Sequence, residues 1–280
     1  MIEFRCNSYH KPDNTPIVSD NAIREYAEAI LGDYKPELLR EPGKISGERF
    51  LENYLGATMD YQDIYYDEGK DPIAGATVFN DDKVWVFDRE NQRIKELDVC
   101  ANTIIIDNDT MQKGKEGFSL FTHLHEGGHL CIHPCVYRNT EGQMTLFDID
   151  AKTLNGEGHV ALCKRSSIGG KKGKLFTQED FREHQANVFA ATLAMPRSTF
   201  IPTAQYFIRQ SNIGNYRDVI VEPDNGWDLM YENEKLIITE ALANVFGVSK
   251  SAAEVQLKCL GLMMTEEQYS DQYSQMSVAF

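Results

Sequence analysis

The feature that most constrains this chain is a short motif, His125-Glu126-Gly127-Gly128-His129. Residues four apart on a helix project from the same face, so His125 and His129 can direct imidazole nitrogens at one point. Glu126 lies about 100° further round such a helix, close enough to reach a water molecule on an ion held there. Zinc at catalytic sites takes three ligands from the protein and keeps its fourth position open. The spacing therefore predicts a zinc site with both histidines as ligands and Glu126 as general base, and the alternative is a chance spacing.

The residues around the motif predict an amphipathic helix that follows a buried strand. Apolar or small side chains recur at helical spacing, at Phe118, Phe121, Leu124, Gly128 and Cys131. The apolar run at residues 102–107 predicts a β-strand, and residues 108–114 predict the turn between strand and helix. A glycine inside a helix costs about 1 kcal/mol relative to alanine. We therefore expect a bare helix surface at Gly127 and Gly128, either for close packing or for a substrate backbone.

A second helix is expected to supply the third ligand. Its apolar stripe consists of Ala186, Phe189, Ala190 and Leu193, and Pro196 marks its end. Glu183 lies on another face of this helix and would complete a set of two histidines and one glutamate, as at many catalytic zinc sites. Glu157 and Glu179 are the alternatives nearest in sequence, but neither is expected on a helix with an apolar stripe. Gln185 is expected to have no part in metal binding.

Together, the two segments resemble the ImmA/IrrE family of metallo-endopeptidases. The family pattern is approximately I-x-I-N, then F-T-x-A-H-E-x-G-H-x-x-x-H, then E-x-x-A-N-x-F-A-x-x-L-x-M-P. The chain matches it through Ile104, Ile106, Phe121, Thr122, His125, Glu126, Gly128, His129, His133, Glu183, Ala186, Asn187, Phe189, Ala190, Leu193, Met195 and Pro196. It departs from the pattern at Leu124, where alanine is usual, and at Gly127, where leucine is usual, and neither departure removes a ligand. The similarity covers residues 100–262.

This resemblance implies an α+β, zincin-like fold in which a small, largely antiparallel sheet leads into the metal helix. It also implies a zinc-dependent endopeptidase whose substrate is a specific transcriptional repressor or regulator in the same cell. Glu126 would take a proton from the zinc-bound water and pass it to the leaving amine. The donor to the oxyanion stays open among His159, His184 and several tyrosines. The alternative is a non-proteolytic regulatory protein that binds a partner through the same fold, although such a protein has no evident need for Glu126.

The N-terminal part of the chain shows a helical pattern and then short strands. Ser19-Asp20 predicts the start of a helix that ends at Gly32. Aromatic and β-branched runs predict strands at residues 61–66, 76–79, 84–87 and 94–99. Asp81-Asp82 predicts a hairpin turn between the second and third of them. Because helical patterns dominate after Pro196, we divide the chain into a metallopeptidase domain, residues 1–205, and a helical segment, residues 206–280.

The helical segment contains a pattern similar to a helix-turn-helix unit. DNA binding by such a unit requires a basic second helix. Residues 206–280 instead contain 5 Lys/Arg and 11 Asp/Glu, a balance of 5 − 11 = −6, and the whole chain has a net charge of −15. Direct nucleic-acid binding is therefore not expected, and these helices should pack on the core or hold a protein partner. The tail from Thr265, rich in Gln, Ser and Tyr, is expected to be loosely ordered.

Composition and cysteine usage predict a cytoplasmic protein. The first residues lack the pattern of a signal peptide, and no apolar run reaches the ~20 residues of a membrane span. The 6 cysteines are scattered, which suits a reducing compartment. Cys131, His133 and Cys135 could form a second metal site only if the helix continued past Pro134, which proline disfavours. His133 is instead expected to support the first site through hydrogen bonds.

A basic, glycine-rich loop is predicted between the two motifs. Its cationic residues are Lys164, Arg165, Lys171, Lys172 and Lys174. Two interpretations stay open, a solvated loop or a border of the cleft that steers an acidic substrate.

Overall fold

The computed structural model describes residues 2–10, 13–138, 159–168, 175–211, 220–222 and 229–265. Within these residues there are eight α-helices: α1 (Asp20–Tyr34), α2 (Gly47–Arg49), α3 (Glu116–Ile132), α4 (Pro134–Tyr137), α5 (Gln178–Ala194), α6 (Arg197–Gln210), α7 (Leu229–Phe246) and α8 (Lys250–Cys259). The strands are β1 (Thr58–Gln62), β2 (Ile73–Val78), β3 (Asp82–Asp88), β4 (Arg93–Val99), β5 (Thr103–Asp107), β6 (Val160–Lys164), β7 (Ile220–Glu222) and β8 (Met263–Thr265). In this part of the chain, no helix combines the length and the apolar content that a membrane crossing requires.

The strands form a small sheet of mixed orientation. Four of them have the order β1-β5-β2-β6, in which β1 runs parallel to β5 and the other two pairs are antiparallel. β3 and β4 form a separate antiparallel hairpin, and β7 pairs in parallel with β8. The protein therefore has a mixed α/β architecture, with antiparallel pairs in the majority and a parallel pair at one edge of the sheet.

The hairpin predicted at Asp81-Asp82 is wrong, because β2 does not pair with β3. All six residues of β2 are buried, and the strand lies between β5 and β6, so both of its edges are already occupied. β3 pairs instead with the strand that follows it, with Asp88 opposite Arg93 at the turn. The side chain of Asp81 accepts a hydrogen bond from the backbone N–H of Ala101 at 2.8 Å. The prediction also missed β6, a five-residue strand whose short apolar run has no helical or long alternating pattern.

The buried strand predicted at residues 102–107 is confirmed as β5, and its two faces belong to different cores. Ile104 and Ile106 face the main core, which also contains apolar residues of α1, α3 and α5. Ile105 faces a smaller core that lies against the β3–β4 hairpin. This alternation follows from the two-residue period of a strand and places helix α3 on the main-core side of the sheet.

The C-terminal helices share the main core with the rest of the described chain. Helix α6 runs through the position at which we divided the chain, between residues 205 and 206. Ile208 of α6, Leu242 of α7 and Leu257 of α8 are all fully buried members of that core. The rings of Phe200 and Phe246 lie 5.3 Å apart between α6 and α7. The tail at residues 266–280, which we expect to be loosely ordered, lies outside the described residues.

Glycines 127 and 128 allow helix α3 to pack closely against its neighbours. A Cβ on Gly128 would lie 3.1 Å from the Cα and 3.3 Å from the carbonyl oxygen of Ala186 in α5. A Cβ on Gly127 would lie 2.9 Å from the Cδ2 of Leu51 and 3.3 Å from the ring of Phe50. Of the two explanations for these glycines, close packing is the one that the structure supports.

We expect Gly128→Ala to destabilise the protein by about 1–3 kcal/mol, because the added methyl group meets backbone rather than a movable side chain. It should also weaken metal binding, since displacement of α5 carries Glu183 away from the histidines. The matched control is Gly127→Ala, whose methyl group meets the end of a leucine side chain and whose backbone gains helix propensity. Urea unfolding and metal titration of both variants measure the two effects. Equal losses in the two variants would contradict this account.

Candidate metal centre

Helices α3 and α5 bring three sequence-predicted ligands to one point. The Nε2 atoms of His125 and His129 lie 3.0 Å apart. One carboxylate oxygen of Glu183 lies 3.2 Å from the Nε2 of His129, and the other lies 3.5 Å from the Nε2 of His125. All three side chains are buried, and their donor atoms lie within 4.8 Å of one another. The described residues therefore contain a cluster that could hold a metal ion.

Hydrogen bonds to the other ring nitrogens orient both histidines. The Nδ1 of His125 lies 3.1 Å from the side-chain oxygen of Asn187, whose amide nitrogen donates to the carbonyl oxygen of Ser167 at 2.7 Å. A carbonyl can only accept, so the Asn187 oxygen must face His125 and accept a hydrogen from Nδ1. The Nδ1 of His129 lies 3.0 Å from the Nδ1 of His133, a ring without exposure to solvent. His133 thus makes the hydrogen bond that the sequence predicts.

The atoms at the centre of the cluster are all hydrogen-bond acceptors. When the Nδ1 of His129 carries its hydrogen as that of His125 does, the two Nε2 lone pairs and the Glu183 carboxylate face one another without a hydrogen to share. Only a cation can stabilise such a group in a buried place, and a single proton or a metal ion would serve. A tetrahedral ion with bonds of about 2.05 Å separates its ligands by about 3.3 Å, close to the spacing seen here. The residues therefore fit a metal ion, whose identity the geometry does not select.

The pKa directions of the three groups agree with this description. Burial lowers the pKa of His125, but the hydrogen bond and the negative charge of Glu183 outweigh it, and the net shift is upward. Burial dominates at His129 and lowers its pKa. Burial alone would raise the pKa of Glu183, yet contact with both histidines holds that pKa well below its usual range. The upward shift at His125 and the downward shift at Glu183 therefore both reflect the contact between these two groups.

Glu126 lies next to the cluster in a pocket made by strand β2. Its Oε2 accepts a hydrogen bond of 2.6 Å from the hydroxyl of Thr77. Its Oε1 is buried and has no hydrogen-bond partner in the described part of the chain. A Cβ on Gly75 would lie 2.6 Å from that Oε1, so only glycine leaves room for the carboxylate. Burial raises the pKa of Glu126 to about 8, against the lowering effects of His125 and Thr77.

Other candidates from the sequence lie away from this centre. Glu179 is on helix α5 after all, in its first turn, but its carboxylate binds the Nζ of Lys164 at 2.9 Å. His184 lies 2.9 Å from a carboxylate oxygen of Asp20 in α1. The Nδ1 of His159 is 3.0 Å from the carbonyl oxygen of Tyr137. Neither ring is directed to the cluster by these contacts.

The basic loop is only partly described. Lys164 pairs with Glu179, and Arg165 pairs with Asp107 and Asp109, so these two cations are held by carboxylates within the chain. Lys171, Lys172 and Lys174 lie outside the described residues, as does Glu157. The proposal that this loop steers a substrate therefore stays a prediction for the three lysines.

Sequence reasoning missed three residues that shape the site. Gly75 and Thr77 alternate on the face of β2 that meets Glu126, and a glycine in a buried strand is the only signal that marked them. The sequence predicts no part for Gln185 in metal binding, yet this residue is buried and its Oε1 lies 2.9 Å from the Nε2 of His133. A buried polar residue on an apolar helix face was its signal.

Comparisons with protein-family models and with curated proteins found no match to this chain. The similarity to the ImmA/IrrE family stays a prediction from the two sequence motifs. What the structure adds is the convergence of those motifs in one buried cluster.

We expect His125→Ala, His129→Ala and Glu183→Ala each to lose bound metal on dialysis, because each removes one of three ligands. Glu179→Ala removes a carboxylate from the same helix and should keep full metal content. Elemental analysis of the four purified variants measures the effect. Retention of metal by Glu183→Ala, together with its loss from Glu179→Ala, would show that the wrong carboxylate has been assigned.

A raised carboxyl pKa makes the metal-free protein less stable as pH increases. Ionisation of Glu126 is disfavoured in the folded state between its usual pKa near 4.5 and its folded value of about 8. Glu126→Gln removes this ionisation, so its stability relative to the wild type should rise across that range by on the order of 3 kcal/mol. Urea unfolding of both metal-free proteins at about pH 5 and at about pH 8 measures the difference. A difference independent of pH would contradict the assignment.

Proposed function

We propose that this protein is a zinc-dependent endopeptidase that cleaves a specific protein partner. The observation that carries the proposal is a second buried carboxylate, Glu126, beside the three-residue cluster that could hold the metal. One oxygen of Glu126 is tied to Thr77, and the other has no partner among the described residues. A purely structural metal site does not require such a group, whereas hydrolysis requires a base that can hold a proton.

His125, His129 and Glu183 would hold the ion and leave one of four tetrahedral positions open. When bound, zinc supplies the chemistry of a Lewis acid, which lowers the pKa of a water molecule to about 7 and polarises a peptide carbonyl. Glu126 then accepts a proton from the attacking water on its free Oε1. It returns that proton to the nitrogen of the departing amine. A bound metal ion would lower the pKa of Glu126 and so favour its basic form at the start of the cycle.

Thr77 can serve Glu126 in both of its protonation states. Its hydroxyl lies 2.6 Å from the Oε2 of Glu126 and 3.2 Å from the backbone carbonyl oxygen of the same residue. When the carboxylate is ionised, the hydroxyl donates to Oε2. When Glu126 is protonated at Oε1, Oε2 is the carbonyl oxygen of the acid and still accepts the same hydrogen bond from the hydroxyl. Proton transfer to and from Glu126 therefore needs no movement of the strand.

The sheet edge beside Glu126 supports a peptide substrate. Strand β6 is the last strand of the described four-stranded sheet, and its Cys163 lies opposite Gly75 of β2. Gly75 is the residue in contact with the Glu126 carboxylate. Val160, Ala161 and Cys163 of β6 are buried, so this edge must be uncovered before an extended peptide can add to it through main-chain hydrogen bonds. We place the scissile segment along β6.

The sequence motifs provide the basis for the rest of the proposal. Their resemblance to ImmA/IrrE metallo-endopeptidases suggests a transcriptional repressor or regulator as substrate, in the cytoplasm of the same cell. One observation favours a second candidate, a regulatory protein that binds a partner without cleaving it. The side chains of Glu126 and His125 have no solvent exposure, so a substrate reaches them only if the site opens.

Glu126→Gln separates these two functions. The variant keeps all three proposed ligands, so its zinc content should equal that of the wild type, while cleavage of a candidate repressor should fall by at least about 100-fold. Mass spectrometry of the products, with and without a chelator, identifies metal-dependent cleavage. Loss of zinc from Glu126→Gln would contradict the base assignment, and binding of the repressor by the wild type without cleavage would favour the second candidate.

We also expect slow digestion of unfolded, unrelated proteins such as casein. Because the site is buried, the free energy needed to open it must come from contacts with the correct partner. Rates on casein and on the cleaved repressor, measured with the same zinc-loaded protein, test this restraint. Rapid casein digestion would contradict it.

A further inference from the structure

A strap of N-terminal residues, 13–20, lies across helix α5 behind the metal centre. Arg182 donates hydrogen bonds to the carboxylate of Asp13 and to the hydroxyl of Thr15. One turn further along the helix, the side-chain nitrogen of Gln185 donates to the carbonyl oxygen of Pro16 at 2.8 Å. Glu183, the proposed ligand, lies between these two anchoring residues in sequence. The strap therefore contacts the same turn of the helix that carries the ligand.

The bond to Pro16 determines which way the Gln185 amide faces. A backbone carbonyl accepts and never donates, so the amide nitrogen must point to Pro16 and the oxygen to His133. That oxygen lies 2.9 Å from the Nε2 of His133. An amide oxygen cannot donate either, so the hydrogen of the neutral His133 ring is on Nε2 and its Nδ1 carries a lone pair.

This lone pair in turn determines the tautomer of His129. The two Nδ1 atoms lie 3.0 Å apart, so the hydrogen between them must belong to His129. The Nε2 of His129 is then left with a lone pair, directed at the cluster with Glu183 and His125. Every link is buried, so water does not offer an alternative partner.

We propose that Gln185 is a positioning residue of the metal centre, which uses the direction of the Pro16 carbonyl to hold His129 in its metal-binding tautomer. This rests on the metal site of the proposed function and not on peptide cleavage. The other ligand histidine, His125, is oriented separately through Asn187 and the carbonyl oxygen of Ser167. The chain from Gln185 therefore governs one of the two histidines.

The test compares two replacements of Gln185. Gln185→Met keeps the length of the side chain and removes both the acceptor and the donor. Gln185→Glu keeps an acceptor for His133 and loses the amide that donates to Pro16. If the acceptor is what matters, the glutamate should preserve the tautomer of His129 and the methionine should not. A residue that merely ties the strap to α5 would be impaired by both.

Two measurements report the result without any peptidase assay. Nitrogen-15 NMR of the histidine rings in the metal-free protein reports which nitrogen of His129 carries hydrogen. Competition with a chromophoric chelator measures zinc affinity. We expect Gln185→Met to give a mixture of His129 tautomers and to lose about 10–100-fold in zinc affinity, the usual effect of losing such a supporting bond. Gln185→Glu should keep the wild-type tautomer and lose less than about 3-fold.

Gln256→Met is the matched control. This glutamine is also buried and also donates to a backbone carbonyl, that of Met195 at 3.2 Å, but its described bonds involve no histidine. It should match Gln185→Met in stability loss and leave both readouts unchanged. His133→Phe interrupts the same chain one residue later and replaces Gln185→Met if that variant does not fold.

An unchanged His129 tautomer and zinc affinity in Gln185→Met would overturn the proposal. Equal impairment of Gln185→Glu and Gln185→Met would overturn it too, since the strap tie alone would then explain both. Failure of the peptidase proposal looks different. In that case the zinc affinity and the His129 tautomer still depend on Gln185 as stated, but neither the wild type nor Glu126→Gln cleaves the candidate repressor.

Discussion

The site depends on how closely helix α5 can approach helix α3. Gly128 lies against the backbone of Ala186, and no larger residue fits between them without movement. Gly128 is adjacent to His129, and Ala186 lies one helical turn beyond Glu183, so the helix contact and the His129–Glu183 distance of 3.2 Å are set together. Glycine at this position costs about 1 kcal/mol in helix propensity. In return, α5 can come close enough to place beside His129 a carboxylate that α3 cannot itself provide.

Burial then gives the cluster its chemical character. Removed from water, two histidine lone pairs and a carboxylate require a cation, and the same environment raises the pKa of the neighbouring Glu126 to about 8. Strand β2 keeps Glu126, the proposed base, apart from the three proposed metal ligands. It offers Glu126 one hydroxyl and one space without a side chain, at Thr77 and Gly75, while the histidines and Glu183 face one another. The pKa values of the two glutamates thus shift in opposite directions, upward at Glu126 and downward at Glu183.

Both histidines are oriented from carbonyl groups that are distant in sequence. His125 depends on Ser167 through Asn187, and His129 depends on Pro16 through Gln185 and His133. In both cases the amide nitrogen donates to a backbone carbonyl, which can only accept. The amide oxygen is thereby turned toward the histidine ring as an acceptor. The proposed base, ligands and supporting residues therefore draw on the N-terminal strap, the sheet and both central helices.

The sequence by itself determined the features that depend on the residue spacing within a single helix or strand. The four-residue spacing places His125 and His129 on one helix face, and the apolar run at residues 102–107 identifies β5. Local patterns could not show which strands pair with each other, because strand pairing is decided by which edges and faces remain free after packing. This is why the hairpin expected before β3 is absent and why β2 lies between β5 and β6. The same limit applied to Gln185, whose contacts with Pro16 and His133 span 169 and 52 residues of sequence. Only the tertiary structure decided its role, because a hydrogen bond depends on distance in space and not on separation along the chain.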